Sequence, residues 1–327
     1  MLPRSICEDP PADGTLLWGA IPDWTKESAA QYVQKIGKTP AVFSAAQPFP
    51  LDPVSLGWTN HLIESSHKQG SAFQLTLNPT TLSVVTTARS DALAKFLGNW
   101  NSQGEAIYVR FAPEMNGNWF PWGQQPTAYR TAFRTLAASV HRYAPQTAMV
   151  WAPNIATPFP IPVVRTVSAA DRAALDVRDG TYSAYYPGDD AVDWVGLSLY
   201  ARGNGYPRLH NDPPAPTVLL DSVGRFYDTY AVGHHRPMQL AETAAAWAAN
   251  RTGAPELTVK QTWWQEIFSA VRHGQLPKLK LAVFFEVNKA ESDIGPNTEW
   301  AIDRLPQIAS AFNRDLTAYS VTSARIC

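Results

Sequence analysis

Cysteine is nearly absent: the 327 residues contain two, Cys7 and Cys327, and neither has a neighbouring His or Cys. Thiol catalysis is therefore not expected, and a chain of this length buries an ample core without metals or a dense disulfide net. Charge is also scarce. Lys and Arg number 27 against 28 Asp and Glu, a net charge of -1, with the basic residues scattered rather than massed. That distribution lacks the electrostatic footprint of a nucleic-acid binder and suits an uncharged substrate. No run of 18 apolar residues exists, so no membrane-spanning helix is predicted. Residues 1–15 lack the apolar core of a signal peptide. No Gly-x-Gly-x-x-Gly follows the first predicted strand, where Gly19 stands alone, and there is no P-loop. Gly196-Leu197-Ser198-Leu199-Tyr200 lacks the second Gly of a nucleophile elbow. His234-His235 has no third ligand at helical spacing, so no metal is expected.

Tryptophan, by contrast, is abundant, with 12 residues, and proline reaches 27. Most Trp side chains pack cores, but Trp119-Phe120-Pro121-Trp122 sits on a polar loop, and flat aromatic faces suit the apolar faces of sugar rings. Along the chain, short β-rich apolar runs alternate with longer amphipathic ones, the pattern of βα units on a parallel sheet. Strands are predicted at Leu16–Pro22, Ala41–Ser44, Ala72–Asn78, Ala106–Pro113, Ala148–Pro153, Trp194–Tyr200, Met238–Thr243 and Leu279–Val287. Helices are predicted at Thr25–Ile36, Trp58–His67, Ser90–Trp100, Thr127–Tyr143, Thr217–Tyr230, Val259–His273 and Asp303–Phe312. Eight strands with interleaved helices, and no linker or composition break, predict an α/β fold: one (β/α)8 barrel domain spanning residues 1–327. Its irregular stretches 154–192 and 201–216 belong to the C-terminal rim, where such barrels build active sites. The ends of a closed barrel lie near one another, so Cys7 and Cys327 are either free thiols or a bridge implying an oxidising compartment.

Two carboxylates stand out on that rim. Side chains alternate along a strand, which puts Arg110, Ala112 and Glu114 on one face, with Glu114 at the strand end. The loop that follows, Asn116-Gly117-Asn118-Trp119-Phe120-Pro121-Trp122-Gly123, joins amides that bond hydroxyls to aromatics that stack on sugars. By the same alternation Met238, Leu240 and Glu242 share a face, and Glu242 ends the seventh strand. Carboxylates at the ends of strands four and seven would face each other across the mouth. Glycosidic cleavage needs such a pair, one as general acid and one as nucleophile or base. On the eighth strand Ala282, Phe284 and Glu286 alternate likewise, which would bring Glu286 into the mouth as a substrate or support residue. Tyr200 either packs at the rim or reaches a neighbouring carboxylate through its hydroxyl.

At these residues the sequence resembles glycoside hydrolase family 26, the β-mannanase family among the retaining (β/α)8 hydrolases. The run Arg110-Phe111-Ala112-Pro113-Glu114-Met115-Asn116-Gly117-Asn118-Trp119-Phe120-Pro121-Trp122-Gly123 is close to that family's acid/base segment. Asp193-Trp194-Val195-Gly196-Leu197-Ser198-Leu199-Tyr200 resembles its sixth-strand segment, and Gln239-Leu240-Ala241-Glu242-Thr243 its nucleophile segment. Similarity continues into Val283-Phe284-Phe285-Glu286-Val287-Asn288-Lys289. The resemblance implies Glu114 as acid/base, Glu242 as nucleophile, Tyr200 as a partner of the nucleophile, and Trp119 and Trp122 as walls of the sugar subsites. Arg110, Asn116, Phe284 and Glu286 are counted with them as substrate-binding residues. Two positions depart from the family: Pro113 stands where His usually precedes the acid, and Phe284 where a stacking Trp is usual.

The expectation is therefore a secreted, monomeric hydrolase that needs no cofactor, a mature form preceded by an added Met1, with a cytoplasmic protein as the alternative. It would cleave a β-linked polysaccharide with retention, first β-1,4-mannan and otherwise a mixed-linkage glucan, xylan or exopolysaccharide. The rivals are a barrel that only binds carbohydrate and an inverting enzyme that pairs Glu114 with Glu286.

Overall fold

A computed structural model describes residues 10–156, 167–175, 180–203, 208–291 and 294–322. Cys7 and Cys327, and parts of the long loops after the fifth and sixth strands, lie outside the described residues. Eight strands close a barrel: β1 (Leu17–Ile21), β2 (Val42–Phe49), β3 (Ala72–Pro79), β4 (Ile107–Phe111), β5 (Thr147–Trp151), β6 (Trp194–Ala201), β7 (Met238–Ala245) and β8 (Leu279–Phe285). All neighbours pair in parallel, and β8 closes the ring on β1. Each of the eight predicted strands is thus a barrel strand.

Helices follow the strands: α1 (Ala29–Ile36), α2 (Pro53–Lys68), α3 (Thr87–Asn101), α4 (Pro126–Tyr143), α5 (Val218–Phe226), α6 (Glu256–Arg272) and α7 (Pro306–Ala318). Their starts are written in local chemistry. Ser28 and Gln31 form a capping box on α1, Asp52 and Ser55 form one on α2, and Pro occupies the first turn of α2, α4 and α7. Two short helices, Ala169–Leu175 and Gly180–Ser183, were not foreseen; both lie in the loop after β5.

The core has two layers. A smaller apolar cluster that contains no helical residue fills the barrel bore, with Leu17, Val42, Tyr108, Val150, Trp194, Ala241, Leu281 and Val283 among its members. Tyr108 and Trp194 meet edge to face there, 5.3 Å between centroids. The larger cluster lies between strands and helices and includes Trp18, Phe43, Phe111, Met238, Leu240, Ala282 and Phe284. A strand buried on both faces reads as nearly continuous apolar sequence, so parity alone does not say which face is the bore.

Candidate active site

At the C-terminal mouth a cavity of about 570 Å³ opens, lined by residues from the ends of β4, β5, β6 and β7 and from the segment after β8. Glu114 and Glu242 both line it, together with Arg110, Trp119 and Tyr200. Neither carboxylate arrives by simple alternation.

On β4, Arg110 points into the bore while Phe111 packs outward on Tyr129 and Phe133 of α4. Ala112 belongs to the outer cluster, not to the Arg110 face as alternation predicts. The chain then turns through two left-handed residues, Ala112 at φ 43° and Glu114 at φ 55°. Non-glycine residues in that region are uncommon and carry local strain. The turn is held by the Ala112 N–H on the Leu77 carbonyl (2.8 Å) and the Glu114 N–H on the Ala152 carbonyl (3.0 Å). It swings the Glu114 side chain into the cavity.

On β7 the device is a bulge. Met238 and Leu240 belong to the outer cluster, so strict alternation would carry Glu242 outward with them. The pairing with β6 instead slips, Leu240 lying opposite Leu197 but Glu242 opposite Ser198. Ala241 stays in the bore, Glu242 enters the cavity, and Thr243 faces outward to accept a hydrogen bond from Trp263 of α6 at 2.9 Å. One extra residue thus reverses the parity of the strand end.

The two carboxylates sit in different company. Arg110, only 1% exposed, donates to Glu242 Oε2 at 2.5 Å and to Ser198 Oγ at 2.5 Å. The Tyr200 hydroxyl donates to Glu242 Oε1. Burial, and then the neighbouring Glu242 charge, push the Tyr200 hydroxyl well above its ordinary range, so it remains a donor through neutral and alkaline pH. Glu114 accepts from two neutral donors, Asn154 Nδ2 on Oε1 at 3.0 Å and the Trp119 indole N–H on Oε2 at 2.8 Å. Trp119 is half exposed, and its ring lies over Gly117, where a Cβ would meet the indole at 2.4 Å.

Four residues expected to touch substrate do not line the cavity. Asn116 is buried and spends its amide on the backbone of Asn154, donating to the carbonyl and accepting from the N–H, both at 2.8 Å. Trp122 is buried beneath Phe120, stacked at 4.5 Å, with its N–H on the Pro113 carbonyl at 2.8 Å; Phe120 takes the surface instead. Phe284 packs outward between Phe268 of α6 and Phe312 of α7. Glu286 shares that outward parity. It is buried behind the barrel wall, accepting from the Tyr32 hydroxyl (3.1 Å) and from the Ile302 and Asp303 N–H groups (2.5 and 3.4 Å). Ala282, Phe284 and Glu286 do share a face, but that face is the helix side. An inverting pair of Glu114 with Glu286 therefore has no geometric basis.

Several cavity residues were missed. Asn154 is the polar residue just past β5, and Ser198 shares a face with Tyr200, so both signals were present in the sequence. Arg202, Lys289 and Glu291 meet only in the folded chain, with Glu291 accepting from Arg202 at 3.0 Å and Lys289 at 3.3 Å. Pro113 lines the cavity in the place where a His was usual. Among the described residues no three His, Cys, Asp or Glu side chains cluster as metal ligands, and no helix is long and apolar enough to cross a membrane.

Residues 58–211 match the model of glycosyl hydrolase family 26. Over 275 residues the chain is 23% identical to endoglucanase H of Acetivibrio thermocellus, covering 80% of this chain and 26% of that protein. It is 29% identical over 204 residues to β-1,3-xylanase TXYA of a Vibrio species, covering 58% of this chain and 36% of that one. The chain thus spans about a quarter to a third of the length of these curated relatives. Among solved structures, an endo-β-1,4-mannanase of Cellulomonas fimi superposes with TM-score 0.61 at 15% identity, covering 96% of this chain and 75% of that one. The catalytic domain of an endo-β-1,4-mannanase from Bacillus sp. JAMB-750 gives 0.59 at 16% identity, covering 95% and 91%. At such identities these structures establish the shared barrel.

Proposed function

We propose that this chain, whose residues 58–211 belong to glycosyl hydrolase family 26, hydrolyses a β-linked glycan with retention of configuration. The observation that carries the reading is the pair of strand-end carboxylates in one cavity with contrasting partners. Glu242, clamped by Arg110 and Tyr200, is the nucleophile: its two donors fix one rotamer and leave it aimed into the cavity. Glu114, which accepts from the neutral donors Asn154 and Trp119, is the acid/base: neither donor carries a charge tied to its carboxylate as it gives and takes a proton. Glu114 protonates the departing glycosidic oxygen while Glu242 attacks the anomeric carbon. Glu114 then draws a proton from water, which attacks the same carbon and releases Glu242. Trp119 offers the exposed aromatic face, and Arg110 serves by holding the nucleophile rather than the sugar.

For the glycan, β-1,4-mannan comes first and mixed-linkage glucan or xylan second. The shared barrel of the mannanases favours the first, and the endoglucanase and β-1,3-xylanase among the relatives favour the second. The proposal includes a secreted, monomeric enzyme acting as one (β/α)8 domain over residues 1–327. Its test is a hydrolysis screen of wild type and Glu242→Ala against β-mannan, mixed-linkage glucan, xylan and 1,3-linked glycans, with the first product anomer read by NMR. Sugar released by wild type alone, as the β-anomer, is the expected result. An α-anomer overturns retention. Binding without release by wild type supports the carbohydrate-binding barrel instead.

A further inference from the structure

We propose that a second groove on the same rim, between the loop after β1 and the outer face of α2, is a glycan-binding site separate from the catalytic cavity. The inference rests on the hydrolase reading only for the choice of ligand. The groove holds about 270 Å³, and none of its lining residues lines the catalytic cavity. One wall is Trp24, half-buried, its N–H fixed on the Ser44 carbonyl at 2.9 Å and its ring against Phe43 at 5.6 Å. The other is Trp58, which stacks on His61 at 5.3 Å and still leaves 42% of its surface exposed.

Packing does not explain Trp58. The buried face of α2 is Thr59, Leu62, Ile63 and Ser66, and Trp58 lies off it. With Val54 (82% exposed) it forms an i,i+4 pair that continues to His61 and Ser65, a stripe along one side of the helix that borders the groove. An indole that keeps 42% of its surface exposed at the edge of a groove is free to stack on a flat apolar face. The groove's other groups decide whose. Ser28 and Gln31 are locked to each other by the α1 capping box (Gln31 Oε1 accepts the Ser28 N–H at 2.8 Å), and Ser65 and His61 edge the opposite side. Two indoles framed by hydroxyl, amide and imidazole groups, with Lys26 paired to Asp23 at 2.7 Å and Glu27 to Lys35 at 2.8 Å, suit an uncharged ring that is apolar on its faces and polar at its rim. That is a pyranose of a neutral β-glycan. A polymeric substrate extends beyond a single cavity, and a second hold on the same rim would raise its local concentration at the first.

The test uses affinity electrophoresis of Glu242→Ala, so that polymer is not consumed, in gels containing β-mannan, mixed-linkage β-glucan or β-1,3-xylan. Trp58→Ala in that background is expected to weaken retardation by the glycan that binds on the order of three- to tenfold, with Trp58→Phe between the two. Trp58→Ala alone is expected to hydrolyse a short oligosaccharide as wild type does and the polymer more slowly. Retardation unaffected by Trp58→Ala, or absent with all three glycans, overturns the site. Equal loss on short and long substrates overturns its separateness, and a drop in oligomeric mass on Trp58→Ala shows a protein interface instead. Trp58-dependent retardation without hydrolysis of any glycan by wild type would leave the site standing and sink the hydrolase reading.

Discussion

Replacing Arg110 by Met tests whether Glu242 needs its clamp. Arg110 is buried at the top of the bore, bonded at 2.5 Å to both Glu242 Oε2 and Ser198 Oγ. Methionine fills similar volume, so little is lost to cavity formation, and the change isolates the charge and its two bonds. Removing one partner of a fully buried ion pair costs about 3–5 kcal/mol. The Glu242 side chain is 23% exposed to the water of the cavity, which relieves part of that; a loss of about 1–3 kcal/mol in stability is the expectation. Activity should fall further. The carboxylate would lose its fixed direction, leaving only Tyr200 to hold it. A decrease of about 10²–10³ in kcat/KM corresponds to about 3–4 kcal/mol of transition-state stabilisation. The assay is steady-state hydrolysis of whichever glycan the screen identifies, beside urea unfolding of the same proteins. Arg110→Met/Glu242→Gln should recover much of the stability, because no unpaired charge remains, and none of the activity. A kcat/KM for Arg110→Met within about threefold of wild type would refute the reasoning, since Glu242 would then be positioned without its cation.

Gly117→Ala drives a methyl into the Trp119 ring, which a Cβ would meet at 2.4 Å. The half-exposed ring can swing away, so the melting temperature should change little, whereas kcat/KM should fall several-fold because Trp119 no longer donates to Glu114; an unchanged rate would remove Trp119 from the site. Glu286 supplies a pH signature. Burial, then the neighbouring Asp303, push its carboxyl from 4.5 up to about 8, against the pull of the Ile302 N–H, Lys260 and the Tyr32 hydroxyl. The folded state therefore holds a proton that the unfolded chain has released, and stability falls as pH rises from about 4.5 to about 8, by up to about 1.4 kcal/mol per pH unit. Glu286→Gln should flatten that decline in urea-unfolding free energies, and a slope identical to wild type would show that the group is ionised throughout.

The strand–helix alternation of this chain is legible from its residues because it rests on local chemistry. Apolar β-rich runs such as Ala72–Pro79 and caps such as Ser28 with Gln31 act within a few residues of themselves. The candidate carboxylates are legible for the same reason, as charges closing apolar runs. What parity could not carry was direction. In a strand buried on both faces, bore and helix side look alike in sequence, and the choice belongs to neighbours far along the chain. Thus Glu242 reaches the cavity through a bulge against β6, Glu114 through a left-handed turn tied to Ala152, and Glu286 faces Tyr32, 254 residues away. The aromatic loop after Glu114 reads as a unit in the sequence, but tertiary packing decided that Trp119 and Phe120 face the cavity while Trp122 supports them. The groove of Trp24 and Trp58 joins residues 34 positions apart on two rim segments. The sequence determined by itself the eight barrel strands, the main helices between them and the two charges at strand ends. Only the closed barrel decided which way each side chain points, because that depends on pairing register and packing between segments that no local pattern encodes.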